Sequence, residues 1–414
     1  MATDRTGESD GPDSREGAML DAEFFDLTVV GGGPVGLAAA GAAAARGLSV
    51  LVVERFDFHG GHGSSGGAER QWRLQYAETD LSALTLHART AWRDLAARTR
   101  RRVVHETGSL WFGDTTQSSS EGQIEAAVAV LDELEIAYQR VDNDELRTRY
   151  GFHDLPADYH GIHQPQGGVL DVAAARWALL DSAAGLGCAL HSGETVLDIA
   201  PDGNGVTVHT DRGRYRCGHV VVTAGAWTPA VLDRIGVSVD LTLYELTQAH
   251  FRLRTDRDYP TWFAFQNATD TDSNLFYGFG RTPWADDDLV QVSPLFEADP
   301  IADPAAARRA PREHDLRRVT EWVRDHMPDL EPQPLHAGTC VAALPTDHGR
   351  QFYLGSAAGL VPDGERVVVC AGGWGFKFVP VFGEACVQLA LDGRTRYGLE
   401  RSGLTATSVT GATA

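Results

Sequence analysis

Eleven residues near the start constrain this chain more than any other stretch: Asp26-Leu27-Thr28-Val29-Val30-Gly31-Gly32-Gly33-Pro34-Val35-Gly36. Leu27 to Val30 is a short apolar run rich in β-branched residues, the pattern of a strand buried in a parallel sheet. Glycines 31, 33 and 36 follow at once as G-x-G-x-x-G. The Ala-rich stretch Leu37 to Arg46 reads as a helix, Gly47 as its stop, and Leu48 to Val53 as a second strand that ends at Glu54. Strand, glycine turn, helix and strand, with an acidic residue 23 positions after Gly31, make up a dinucleotide-binding βαβ unit. The three glycines serve a tight turn, close backbone approach to a pyrophosphate, and close packing of helix on strand. Free N–H groups and partial positive charge at the helix start suit a diphosphate. Glu54 can accept the ribose hydroxyls and repels a 2′-phosphate, so FAD or NAD is favoured over NADP.

The length of 414 residues suits two or three domains, and 43% hydrophobic residues allow a sizeable core. A net charge of −21 argues against nucleic acid and anionic membranes as partners. The longest apolar run, Val35 to Val53, holds Gly41, Arg46 and Gly47, so it belongs to the βαβ unit and not to a membrane span. Cysteines 188, 217, 340, 370 and 386 show neither disulfide nor zinc spacing, so no metal is expected, and a reducing cytoplasm is. Every basic side chain is arginine except Lys377. In a chain so biased, the surviving lysine marks a place that needs a compact, flexible ammonium.

Residues 1–20 are polar and are expected to be a disordered leader. Phe56 to Gly67 is a Gly-rich loop that something must hold, usually a ligand. The segment Glu69-Arg70-Gln71-Trp72-Arg73-Leu74 reads as helical, with Arg70 and Arg73 one turn apart on a face that meets an anion. His59 and His62 read as solvated. Helical patterns mark 80–100, 121–134, 172–185, 312–326 and 380–391, and Thr107 to Gly113 reads as a strand. Thr195 to Ile199, Gly205 to Thr210 and Arg214 to Cys217 read as hairpin strands, and His219 to Thr223 as a separate buried strand. An antiparallel piece inserted in a parallel sheet is typical of FAD-binding folds. The expected class is α/β (α+β overall): a Rossmann-like FAD-binding domain from 21–85, 150–235 and 336–400, and an antiparallel-sheet substrate domain from 86–149 and 236–335. A loose tail is expected over 401–414.

In order and spacing, Gly31 to Gly36, Gly63-Ser64 through Arg70 and Arg73, Gly167 to Leu170, Ala224-Gly225-Ala226-Trp227, Cys340 and Gly375-Phe376-Lys377-Phe378 carry a resemblance. The chain resembles the monomeric sarcosine oxidase and N-methyltryptophan oxidase family of amino-acid-oxidase-type flavoproteins, over about residues 24–395. The resemblance implies FAD, joined through the Cys340 sulfur to the flavin 8-methyl position. Around the adenosine and diphosphate it implies contacts from Gly31, Gly33, Pro34, Val35, Gly36, Glu54, Arg55 and Val196. Around the remainder it implies Ser64, Ser65, Arg70, Gly225, Trp227, Gly373, Gly375, Phe376 and Lys377. Arg73 and Lys377 would hold a substrate carboxylate over the flavin face, in agreement with the solitary lysine. Arg70 would stabilise reduced, anionic flavin. Gly372 to Gly375 would admit the backbone to the flavin's pyrimidine edge.

The departures from the family concern oxygen and the pocket. Members carry a lysine over the flavin's other face that speeds reaction with oxygen. Here that stretch is Leu289-Val290-Gln291-Val292, with Val290 or Gln291 at the position. The tyrosine two residues after the flavin-linked cysteine is Ala342, and a nearby histidine is Ser293 or Pro294. A roomier, less polar pocket is expected, with Trp262, Phe263, Phe265, Phe276, Tyr277 and Trp374 as candidate lining. The implied reaction oxidises the C–N bond of a carboxylate-bearing secondary or cyclic amine to an imine, in a monomer that passes electrons slowly to O2. Two other readings stay open: a dehydrogenase of the same family with another acceptor, and a flavin-binding protein without turnover.

Overall fold

The computed structural model describes residues 23–119, 121–267, 274–285, 287–294, 300–347 and 351–405. The expected leader lies outside them. Among the described residues no helix is long and apolar enough to cross a membrane.

The opening strand, Phe24–Val30, sits in the middle of a parallel core, between Val50–Glu54 and Arg214–Val222. Ala189–Ser192 extends this sheet on one side and Val367–Ala371 on the other, both parallel. Side chains alternate between two buried faces. Leu27, Val29, Val50, Val52 and Val221 face the helices, while Val30, Leu51, Val53, Val220 and Val222 face the opposite core. The helix Pro34–Ala44 packs on Val172–Gly185 and Val379–Asp392. Its small residues permit close contact: a Cβ on Gly383 would stand 2.5 Å from the carbonyl carbon of Ala38.

Two expectations change here. Arg214 to Val222 is one strand, not two, because one edge pairs with Phe24–Val30 from Arg216 to Val222, across the expected break. Its other edge pairs antiparallel with Gly205–Thr210 and then parallel with Val367–Ala371. Secondly, Glu69–Trp72 is a strand paired with Gly168–Asp171, so Arg70 and Arg73 do not share a helix face. The buried Trp72 and Leu74, spaced by two, were the stronger periodic signal in that segment.

The second large sheet runs in the order Leu330–Pro345, Leu241–Leu253, Leu289–Pro294, Phe276–Phe279, Thr261–Phe265, Ser109–Gly113, His160–Gln164, Gln139–Val141. It is antiparallel except where Thr261–Phe265 pairs with Ser109–Gly113. The helix Glu313–His326 buries Val319, Trp322 and Val323 against the face that carries Ala249, Phe251, Val290 and Val292. Of the expected loose tail, residues 401–405 are described: Arg401 pairs with Asp80 at 2.6 Å and Ser402 is buried. The rest of the tail lies outside the described residues.

Candidate functional site

A cavity of about 420 Å³ is lined by residues of both large sheets. At one end the glycine turn forms its wall. Gly31 has φ +102°, and a Cβ there would stand 2.6 Å from the Thr223 carbonyl oxygen. A Cβ on Gly36 would stand 1.9 Å from the Gly31 carbonyl oxygen, which fixes glycine where helix meets strand. A Cβ on Gly33 would meet no protein atom within 4 Å. The helix that begins at Pro34 has no side-chain cap and no acidic residue in its first turn. Its N–H groups and positive end are thus left for a ligand. Glu54 accepts from the Gly32 and Phe56 N–H groups at 2.7 and 2.8 Å. Pro34, Val35, Arg55 and Val196 complete this end, and Gly36 packs behind it.

Ser64 and Ser65 line the cavity from the Gly-rich loop. Three arginines of the chain itself hold that loop by its carbonyls. Arg70 donates to Ser64 and Gly66 at 2.7 and 2.5 Å, Arg176 to Phe58 at 3.2 Å, and Arg309 to Gly61 and His62 at 3.3 and 3.4 Å. His59 and His62 are exposed and rest on Trp177 and Phe56.

At the far end Arg73 and Lys377 both line the cavity and both stand near the Tyr76 ring, 4.7 and 5.5 Å from its centre. Arg73 comes from the turn after Glu69–Trp72, and Lys377 from the short turn Phe376–Phe378 ahead of the last long helix. The structure adds a residue that the sequence hid. Glu121 lies 2.6 Å from Arg73 Nη2, and their side chains are 4% and 2% exposed. The sequence pattern puts Glu121 at the start of a helix over 121–134, but the helix begins at Ile124 and Glu121 stands ahead of it, buried against Arg73. The Arg73 Nε and Nη1 are buried and make no hydrogen bond to the protein. Its guanidinium lies 4.7 to 5.5 Å from the ring centres of Tyr76, Trp111 and Phe263. Lys377 Nζ donates to the Trp374 carbonyl at 3.0 Å. Burial, then the Arg73 charge, push the Lys377 ammonium well below its ordinary range, with Glu121 opposing. Burial lifts the Tyr76 phenol to about 12 against the pull of Arg73.

Cys340 lies opposite Leu246 on the long ribbon that walls the cavity. Burial pushes its thiol up, and the nearby Arg70 guanidinium pulls the other way. Gly225, Trp227, Gly373, Gly375 and Phe376 also line the cavity. Gly373, at φ +81°, owes its glycine to the protein: a Cβ would stand 1.7 Å from the Gln351 carbonyl oxygen. Of the six aromatic candidates, Phe263, Tyr277 and Trp374 line the cavity. Trp262, Phe265 and Phe276 instead belong to the core, and Phe279 takes a lining place. The alternation of the strand puts Val290 with the helix-facing core and Gln291 on the other face, where its amide donates to Ser293 at 3.1 Å.

These features fit FAD. The uncapped helix start and open Gly33 position suit a diphosphate, Glu54 stands at the strand end, and buried cations face the cavity's other end. The model of the family described as FAD dependent oxidoreductase (DAO) matches residues 26–389. Monomeric sarcosine oxidase of Streptomyces avermitilis is 28% identical over 90% of this chain and 95% of its own. A putative bifunctional amine oxidase of Dictyostelium discoideum is 28% identical over 92% of this chain, which spans 37% of that longer protein. Among solved structures, the open form of NikD, described as an unusual amino acid oxidase essential for nikkomycin biosynthesis, is 46% identical. It superposes with a TM-score of 0.87 over 92% of this chain and 98% of its own. With its glycine turn, its cavity and a match over most of its length, this chain belongs to the DAO family of FAD-dependent oxidoreductases.

Proposed function

We propose that the protein oxidises the C–N bond of a carboxylate-bearing secondary or cyclic amine to an imine and passes the electrons to O2, giving H2O2. One observation carries this reading: two buried cations line the cavity, and the Arg73 Nε and Nη1 make no hydrogen bond to the protein, though the neighbouring Tyr76 hydroxyl bears on the guanidinium. A buried, unsatisfied guanidinium edge costs free energy until a carboxylate fills it. FAD supplies, when bound, the two-electron acceptor for the amine carbon.

The residues of the chain bind and orient. The free edge of Arg73 takes the carboxylate, and Lys377 adds a second point charge. Glu121 holds the other arm of Arg73 and fixes the direction of the guanidinium. With all three groups ionised the trio carries one net positive charge, which a single carboxylate cancels. Phe263, Tyr277 and Trp374 exclude water around the substrate, so these charges act in a low dielectric. Arg70, close to Cys340 and over Phe376 at 5.9 Å, supplies positive charge beside the cofactor. It also favours ionisation of Cys340, the proposed covalent attachment. The sarcosine oxidase relative supports a secondary amine, and the description of NikD supports an amino acid from specialised metabolism. All five cysteines are unpaired, which supports a reducing cytoplasm, and a monomer is part of the same reading.

The test is anaerobic bleaching of the flavin by candidate amino acids, followed by readmission of air. Bleaching and return of colour support the oxidase. Bleaching without return favours a dehydrogenase with another acceptor, a reading supported by Gln291 in place of a lysine. No bleaching with any carboxylate-bearing amine sinks both. A yellow pellet after acid denaturation, lost in Cys340→Ala, tests the covalent link.

A further inference from the structure

Glu69 is a buried carboxylate that amine oxidation leaves unused. It lines the cavity one residue before Arg70, and its side chain is 4% exposed. The charged group paired with it among the described residues is His250, whose Nε2 stands 3.6 Å from Oε1. His250 lies across from His336 in the adjacent strand, and the two rings stack with centroids 4.4 Å apart and planes 17° from parallel. Exposure rises along this row from the cavity outward: 4% at Glu69, 22% at the His250 side chain, and exposed at His336. The buried Nδ1 of His250 has no protein partner.

Other charged groups face the row. Asp171 lies across from Glu69 in the paired strand, its carboxylate capping the Ala174 N–H at 2.8 Å. The Arg70 guanidinium is committed to the carbonyls of Glu69, Ser64 and Gly66. Asp287 bears on His336 from the neighbouring exposed turn. No group of three His, Cys, Asp or Glu among the described residues could hold a metal ion, so cation binding does not account for the cluster.

We propose that Glu69 and His250 carry protons between solvent and the cofactor cavity, with His336 as the outer member of the row. The proposal rests on the oxidase reading above. Oxidation of a secondary amine turns its H–C–N–H unit into C=N, giving up a hydride equivalent from carbon and one proton from nitrogen, and that proton leaves for solvent. Reduction of O2 to H2O2 then takes the hydride equivalent and one further proton, which returns from solvent. With cofactor and substrate filling the cavity, this exchange needs titratable groups that reach from the lining to solvent. Glu69 and His250 offer that route, which makes them positioning residues for the proton. Stacking of His336 on His250 disfavours simultaneous charging of both rings. Burial, then the charge of His250, hold the His336 imidazole below its ordinary range, with Asp287 and Glu69 opposing.

Holoenzyme reduced with dithionite and mixed with aerated buffer tests the row without any amine. Glu69→Gln and His250→Gln are expected to slow reoxidation about tenfold or more, with formate or imidazole restoring the rate. NMR gives a second readout: His250→Gln removes a like charge, so the His336 titration should move up by about 0.5 to 1 pH unit. Wild-type reoxidation in both variants overturns the proposal. Slowing that no weak acid rescues also overturns it, because it marks a structural defect, and so does an unmoved His336 titration. If the wild type itself ignores air, the oxidase reading falls, while the His336 titration still decides whether the row is coupled.

Discussion

One cavity is held at its two ends by different means. The adenosine end is made of backbone: a glycine turn, an uncapped helix start and a carboxylate bonded to two N–H groups, all within Phe24 to Phe56. The charged end is made of side chains from separate segments, with Arg73, Glu121 and Lys377 brought together over 300 residues of chain. A backbone site tolerates most side-chain changes until an added Cβ has nowhere to go. A side-chain site fails one residue at a time. The two ends should therefore break differently.

The largest effect is expected at Gly36. Its Ala variant needs room where 1.9 Å is available, so helix and strand must separate and flavin should be lost. Gly33→Ala is the control, because its Cβ meets no protein atom within 4 Å. It should fold with an unchanged melting temperature and bind FAD more weakly. Flavin absorbance after gel filtration, read beside thermal melts, separates the two. Equal flavin content in both variants would break the account of the glycine turn.

Next in size is Arg73→Met, which removes the carboxylate fork and leaves Glu121 buried without its partner. The catalytic efficiency kcat/KM for a carboxylate substrate should fall by about 100-fold or more, while flavin content holds. Adding Glu121→Gln should recover stability but not activity, since the stranded charge is gone and the fork is still missing. A double variant no more stable than Arg73→Met would show that Glu121 is not held by this pair.

The same end should respond to pH, and the other should not. Burial and Arg73 depress Lys377 in the free site, and a bound carboxylate raises it again. Between those two values binding takes up a proton. Affinity for a carboxylate inhibitor should therefore be flat at lower pH and fall by about tenfold per pH unit above the depressed value. Flavin difference spectra across a pH series measure this. Lys377→Met should bind weakly with no such slope, and a slope that survives the substitution would reassign the proton.

This contrast also explains what could be read in advance. The glycine turn, its flanking strands and Glu54 were legible because their requirements are local in sequence. Lys377 stood out through the composition of the whole chain and through the resemblance, not through its local pattern. Glu121 showed only as the start of a helical pattern, and its pairing with Arg73, 48 positions earlier in the chain, is a tertiary contact that no local pattern encodes. The Glu69–Trp72 strand was missed because two arginines three apart suggested a helix, while the apolar Trp72 and Leu74 carried the correct period. That Val290 and Gln291 take opposite faces of their strand became visible only with the strand pairing.

The smallest expected effect lies between the two ends, on the Gly-rich loop. Arg309 reaches the Gly61 and His62 carbonyls through exposed bonds of 3.3 and 3.4 Å. Arg70 reaches Ser64 and Gly66 through part-buried bonds of 2.7 and 2.5 Å. Long, exposed bonds are each worth about 0.5 kcal/mol or less, because water competes for both partners. Arg309→Ala should therefore weaken retention of FAD by only about two- to fivefold, read as release of flavin on dilution in a Cys340→Ala background that removes any covalent hold. Arg70→Ala should release it much faster. Equal release from the two would mean that the loop is fastened from its outer rim, and that Arg70 serves the cofactor by charge alone.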